Sequence, residues 1–119
     1  MVNIVLVDDD DVSNFVTEKF IYKSFKGPCR VFKFSSATEA LKEVGKIKPN
    51  YLFVDLVMPQ MTGWDFLERL GEANINSEVY ILSGSVDEMD YDKVANYKTV
   101  RKFLTKFSVR ESLPEIFRN

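Results

Sequence analysis

Short apolar runs recur along the chain and are separated by longer segments with helical spacing. Three runs are continuous and rich in β-branched or aromatic residues: Ile4–Val7, Tyr51–Asp55 and Val79–Leu82. Such runs are typical of strands that are buried on both faces of a parallel sheet. Cys29–Phe34 alternates apolar with polar side chains and Thr99–Leu104 is mixed and basic, so we expect these two strands at the sheet edges.

Residues with helical spacing lie between the predicted strands. One set predicts the buried face of a first helix: Val12, Phe15, Val16 and Phe20. A second set predicts that of a second helix: Ala37, Ala40, Leu41 and Val44. Hydroxyl residues followed three positions later by an acid predict helix starts: Ser36, Thr62, Ser85 and Ser108. Ser112 also matches this pattern, and Pro114 disfavours a straight helix from Ser108, so the last helix either bends or begins near Ser112.

The alternation of strands and helices predicts one α/β domain over residues 1–119, with no output domain. Repeated strand–helix–strand units form right-handed crossovers, which give a doubly wound sheet of five parallel strands with five helices. In such sheets ligands bind beyond the carboxyl ends of the strands.

Polar residues stand at those carboxyl ends. Asp8 and Asp9 follow the first strand, and Asp55 ends the third. Ser83 follows the fourth strand, and Lys106 comes shortly after the fifth. The sequence therefore predicts a cleft that contains three carboxylates, a hydroxyl and an ammonium group.

These residue types suit a divalent cation and a phosphoryl group. Mg2+ prefers oxygen ligands and usually keeps several waters, so Asp9 and Asp55 are candidates for direct ligands and Asp8 for a ligand through water. One carboxylate could attack a phosphoryl group, while Lys106 and the metal neutralise its oxygens and Ser83 donates a hydrogen bond.

The next two aspartates have a different role. Asp10 and Asp11 are assigned to the start of the first helix, where negative charge is favoured. The run of four aspartates is therefore interpreted as two pairs.

Composition narrows the class of protein. The net charge is −2, with 16 basic and 18 acidic residues, which gives no electrostatic footprint for nucleic acid. The single cysteine excludes an internal disulfide, and no apolar run reaches the length of a membrane span, so we expect a cytoplasmic protein without membrane partners. The absence of histidine makes a zinc site improbable.

Four stretches together resemble the receiver domain of two-component response regulators. They are VLVDDDD, FVDLVMPQMTGWDFL, YILSGS and KFLTKF, and the resemblance covers essentially the whole chain. It implies a flavodoxin-like strand order 2-1-3-4-5. It also implies that a histidine kinase or histidine phosphotransfer protein phosphorylates Asp55, and that Asp8, Asp9, Asp55 and the Val57 carbonyl hold Mg2+, for which Mn2+ can substitute.

The resemblance also implies a conformational switch. Ser83 would bind the phosphoryl group and Phe103 would change rotamer, altering a face formed by the fourth helix, fifth strand and fifth helix, roughly residues 87–118. That face would bind a downstream protein partner or form a phosphorylation-dependent dimer. Such a domain is not an enzyme in its own right, although it assists its own phosphorylation.

Three features depart from the family pattern or tune it: Phe107 after the lysine, the residues Val57 and Ser85 that flank the site where the family tunes dephosphorylation, and Pro114 in the last helix. Phe107 follows Lys106 where the family usually has a proline after a cis bond. A cis bond before another residue is costly, so the sequence leaves open whether this bond is trans and Lys106 shifted. Val57 has no polar group with which to orient a water, so we expect a long phosphorylated lifetime.

Two other functions remain as alternatives. Asp8, Asp10 and Val12 fit the D-x-D-x-[TV] motif of haloacid-dehalogenase-like phosphohydrolases, with Asp8 as the nucleophile, but this leaves the DLVMPQMTG stretch unexplained. A receiver-like module that binds partners without being phosphorylated is the second alternative, which the Phe107 departure keeps open.

Overall fold

The sheet has five parallel strands in the order β2-β1-β3-β4-β5, which confirms the predicted arrangement and places β2 and β5 at the edges. The computed structural model describes residues 1–73, 75–84, 92–93, 96–97 and 99–118. The strands are β1 (Val2–Val7), β2 (Cys29–Phe34), β3 (Tyr51–Asp55), β4 (Glu78–Ser83) and β5 (Val100–Thr105).

The described residues contain four α-helices. They are α1 (Asp11–Ser24), α2 (Ala37–Ile47), α3 (Gly63–Glu72) and α4 (Val109–Ile116), and a 3-10 turn over Lys106–Ser108 precedes α4. The helix predicted to begin after Ser85 lies largely outside the described residues. No helix in the described ranges has the length and apolar character needed to cross a membrane.

Successive residues of the strands point to opposite faces of the sheet and form two cores. Val5 and Val7 pack with α2 and α3, whereas Ile4 and Leu6 pack with α1 and α4. Because strand side chains alternate with a period of two, a strand covered by helices on both sides must be apolar throughout. The cores thus fix the sheet between two helical layers.

The predicted buried face of α1 is wrong. Val12, Phe15 and Val16 are exposed, and Phe20 is only half-buried; the buried residues are Asn14, Thr17 and Ile21. Ile21 enters the core beside α4, and the Asn14 amide meets main-chain carbonyls at the strand ends. The buried face of α1 is therefore determined by hydrogen bonds as well as by hydrophobicity. The spacing of apolar residues cannot predict the contribution of the hydrogen bonds.

The second helix follows its prediction. Ala37, Ala40 and Val44 are buried, and Leu41 packs against the same core. The Ser36 hydroxyl accepts a hydrogen bond from the Glu39 amide, which caps the helix.

The other predicted helix starts have different outcomes. Thr62 and Asp65 form a reciprocal capping box at α3. The Ser108 hydroxyl instead donates to the Thr105 carbonyl and makes no cap. The last helix nevertheless begins at Val109 and contains Pro114, so a start near Ser112 is excluded.

An aromatic stack joins α3 to the chain before β5. The Trp64 and Tyr97 rings are nearly parallel, at 21°, with centroids 5.3 Å apart. The Tyr97 hydroxyl donates to Glu68, and the Lys93 ammonium lies 5.2 Å from the Trp64 ring centroid. Trp64 is thus enclosed where α3 begins.

Candidate functional site

The sheet register brings the predicted polar residues to one edge. Asp8 follows β1, and its amide donates to the Phe34 carbonyl at the end of β2, at 3.0 Å. Asp55 and Ser83 are the last residues of β3 and β4, and Ser83 pairs in register with Thr105. Neighbouring parallel strands therefore end together, as the predicted cleft requires.

Three carboxylates form the centre of this cleft. One oxygen from each of Asp8, Asp9 and Asp55 lies within 4.8 Å of the others. Asp8 is 3% exposed and Asp55 is 6% exposed, whereas Asp9 is exposed to solvent. Two buried acids and one accessible acid thus surround a point that solutes can reach.

The donor set fits a hard divalent cation. Apart from an ion pair with Lys106, the buried Asp8 Oδ2 accepts no hydrogen bond from the described residues. The three grouped carboxylates repel one another, and the single charge of Lys106 offsets only part of that repulsion. A divalent cation bound among their oxygens would offset more of it. Asp8, Asp9 and Asp55 would hold Mg2+ or Mn2+ through oxygen ligands, which both metals accept. That the Val57 carbonyl joins them stays a prediction.

Lys106 bridges the two buried acids. Its ammonium nitrogen is 2.7 Å from Asp8 Oδ2 and 3.4 Å from Asp55 Oδ2. The Lys106–Phe107 peptide bond is trans, and the Phe107 side chain is 85% exposed. Lys106 therefore reaches the site from the 3-10 turn without the cis bond usual in the family.

The charges in the cleft shift two pKa values. Burial, and then the neighbouring Asp8 charge, raise the pKa of Asp55 to about 6, although Lys106 and the Val57 amide oppose this. Burial lowers the pKa of Lys106, but its contacts with Asp8 and Asp55 outweigh burial and raise that pKa above its usual value. A cation that binds beside Asp55 would favour the ionised carboxylate.

The start of α1 separates the four aspartates as predicted. Asp10 is the N-cap residue, and its carboxylate accepts hydrogen bonds from the Val12 and Ser13 amides. Asp11 lies in the first turn of the helix. These two acids stabilise the helix start, while Asp8 and Asp9 face the cleft.

The remaining predicted residues lie around the site. Ser83 is buried, and Phe103 is half-buried against the core beside α2 and α3. The Val57 side chain is 75% exposed, and its amide donates to Asp55 Oδ1 at 3.5 Å. Ser85, which the sequence places beside the site, lies outside the described residues.

One polar residue near the site was missed at the sequence level. Asn14 is buried on α1 and donates to the main chain at Asp8. Its spacing with Thr17 and Ile21 is helical, but two of these residues are polar, so a search for an apolar face passes over them.

Comparisons with known proteins agree with this geometry. Residues 4–118 match the family model described as the response regulator receiver domain. The response regulator protein TmoT of Ectopseudomonas mendocina is 36% identical over 84 residues, 71% of this chain and 37% of that protein. The response regulator Rre1 of Synechocystis is 28% identical over 119 residues, 99% of this chain and 51% of that protein. The chain thus spans about half or less of the length of these relatives.

Solved structures share the fold. A two-component response regulator from Cytophaga hutchinsonii superposes with a TM-score of 0.82 at 21% identity, covering 97% of this chain and 95% of that one. A CheY-like receiver domain protein from Methanospirillum hungatei gives a TM-score of 0.80 at 17% identity, covering 98% and 94%. With the family match over nearly the whole chain, the conclusion is direct: this chain belongs to the response regulator receiver domain family.

Proposed function

We propose that the chain is a phosphorylation switch in which Asp55 accepts a phosphoryl group in a Mg2+-dependent reaction. The observation that supports this most strongly is the grouping of the Asp8, Asp9 and Asp55 oxygens within 4.8 Å, with Lys106 reaching two of these acids. The phosphoryl donor is a phosphohistidine on a histidine kinase or a histidine phosphotransfer protein.

The chemistry is one substitution at phosphorus. An Asp55 carboxylate oxygen attacks the phosphorus atom, the new O–P bond forms as the P–N bond to the donor histidine breaks, and the released imidazole keeps the electron pair and takes up a proton. Lys106 neutralises the phosphoryl oxygens, and Ser83 donates a hydrogen bond to one of them. A bound Mg2+ supplies further charge neutralisation and in-line positioning.

The consequence is a change of surface. Phosphorylation adds about 1.5 to 2 negative charges at Asp55. Ser83 moves towards this charge, and Phe103, which packs against the core at its edge, changes rotamer into the vacated space. The face that responds includes β5 and α4 and extends over residues 87–118, where it binds a downstream protein or a second copy of the chain.

Phosphorylation by a small-molecule donor tests this proposal. The protein is incubated with Mg2+ and acetyl phosphate, and the covalent phosphate is measured by intact mass. We expect an adduct on the wild type, none on Asp55→Asn, and a strongly reduced yield on Asp8→Asn. Asp11→Asn is the matched control, since it removes the same charge from the same acidic run outside the cleft, and it should be labelled like the wild type.

Each other outcome identifies another function. An adduct that survives Asp55→Asn, or steady turnover that requires Asp8, would support the haloacid-dehalogenase-like hydrolase. The absence of any adduct on the wild type would support a receiver-like module that binds partners without phosphorylation.

A further inference from the structure

We propose that Asn14 is a positioning residue that holds the Asp8–Asp9 main chain in the geometry that binds a divalent cation. The inference rests on the proposed function, because it concerns the cation site of the same cleft. Among the described residues, the hydrogen bonds of the Asn14 side chain go to main-chain carbonyls and not to the three carboxylates or to Lys106. Asn14 would therefore act on the cation site through the main chain of Asp8.

The Asn14 amide links two strand ends to α1. Asn14 is 4% exposed, and its Nδ2 donates to the Asp8 carbonyl at 2.9 Å and to the Phe34 carbonyl at 3.3 Å. The amide group has two hydrogens, so one side chain satisfies both contacts. Buried main-chain carbonyls need such donors, and here the donor comes from a helix rather than from a strand.

These bonds complete the restraint of Asp8. Its amide donates to the Phe34 carbonyl, and its carboxylate Oδ1 accepts from the Asp10 amide at 2.9 Å. The Asn14 bond fixes the remaining group, the carbonyl that is joined to the Asp9 nitrogen. The main-chain direction at this point decides where the Asp9 carboxylate lies relative to Asp8.

Restraint of this kind favours cation binding. Asp9 is exposed to solvent, whereas Asp8 and Asp55 are buried. If the Asp8 carbonyl loses its donor, the main chain at Asp8–Asp9 can adopt other conformations. Cation binding must then select one of them, and this lowers the free energy of binding that remains. Residues that orient metal ligands typically contribute 10- to 100-fold in affinity.

Mn2+ binding to the unphosphorylated protein, measured by electron paramagnetic resonance, tests the inference without any phosphoryl transfer. Asn14→Leu keeps the shape of a side chain that branches at Cγ, although it is larger, and removes both donors. We expect it to weaken Mn2+ binding about tenfold relative to the wild type. If Asn14→Leu does not fold, Asn14→Ser, which keeps one donor on a shorter side chain, replaces it with the same expected direction.

Thr17→Val is the matched control, because Thr17 is a buried polar residue on the same face of α1 one turn further on. We expect it to keep Mn2+ affinity within about twofold of the wild type, even where urea unfolding shows a comparable loss of stability.

The outcomes separate the two proposals. Wild-type affinity in the Asn14 variant, or an equal loss in Thr17→Val, would overturn the positioning role alone. A wild-type protein that binds no Mn2+ would overturn the cation site of the proposed function and this inference with it.

Discussion

Gly63, at the residue scale, closes the loop that follows Asp55. A β carbon at this position would lie 2.8 Å from the Asp55 carbonyl oxygen and 3.0 Å from the Leu56 α carbon, both of which are main-chain atoms. Since main chain cannot move aside as a side chain can, we expect Gly63→Ala to lower the free energy of unfolding by about 1–3 kcal/mol in a urea titration.

Gly45 offers the opposite case on α2. No atom lies within 4 Å of a β carbon added there, so Gly45→Ala should raise the free energy of unfolding by about 0.5–1 kcal/mol through helix propensity alone. If Gly63→Ala leaves the free energy of unfolding unchanged, the loop after Asp55 moves to accommodate the added carbon, and the predicted loss of stability is wrong.

The charge on Asp55 opposes folding when no cation is bound. Burial and Asp8 raise its pKa from 3.8 to about 6, so the folded state holds the proton more tightly and wild-type stability falls as the pH rises from about 4 to 6. Asp55→Asn removes this penalty. In EDTA at about pH 8, we expect the variant to be more stable than the wild type by about 1–3 kcal/mol.

The pH dependence provides the control for this prediction. The advantage of Asp55→Asn should shrink as the pH falls from about 6 to 4 and vanish below the unfolded-state pKa of 3.8, where the wild-type carboxyl is protonated in both states. Mg2+ should also reduce the advantage, because it stabilises the wild type more than the variant. An advantage that is constant with pH would contradict the assigned cause.

Most of the site could be predicted from residue types. Asp8, Asp9, Asp55, Ser83 and Lys106 stand at strand ends in the sequence, and parallel topology requires those ends to meet. Asn14 could not be predicted in this way, because its partners are main-chain carbonyls that have no signature in the sequence.

At the scale of the element, α1 shows how packing selects one face of a helix. Ile21 is fully buried between the sheet and α4, whereas Val16 is exposed on the opposite side. We expect Ile21→Ala to cost about 2–5 kcal/mol and Val16→Ala to change stability by less than about 0.5 kcal/mol, as measured by urea unfolding. Equal losses of stability in the two variants would contradict this assignment and support the buried face predicted from apolar spacing.

The strands were more predictable than this helix. All five strands matched their predicted positions to within two residues. The three central strands are largely apolar because both faces are covered, and the two edge strands stood out as short runs of apolar and polar side chains between helical segments. A helix that packs on one side only can bury any of several faces. In α1 the buried face carries two polar residues, Asn14 and Thr17, as well as Ile21. The last helix contains Pro114 in its second turn, so it lacks the main-chain hydrogen bond that this residue would otherwise donate to the Arg110 carbonyl.

At the scale of the whole molecule, the lifetime of the proposed acyl phosphate on Asp55 would set how long a signal lasts. Val57 is exposed and next but one to Asp55, yet it has no group to orient an attacking water. We expect the acyl phosphate to persist for minutes or longer, as followed by intact mass after removal of the donor.

Val57→Asn places an amide at the same position and should shorten that lifetime several-fold. Hydrolysis of the wild-type phosphate within seconds, or an unchanged lifetime in Val57→Asn, would contradict the role of this position.

The stack of Tyr97 on Trp64 also gives the molecule an optical reporter. Trp64 is the only tryptophan in the chain, and it follows Gly63, whose amide donates to the carbonyl of Leu56, the residue after Asp55. Its emission responds to the electronic environment of the indole ring, so a shift in the ring stack would alter intensity or wavelength. Events at Asp55 should therefore be readable in real time, without a label, from one intrinsic chromophore.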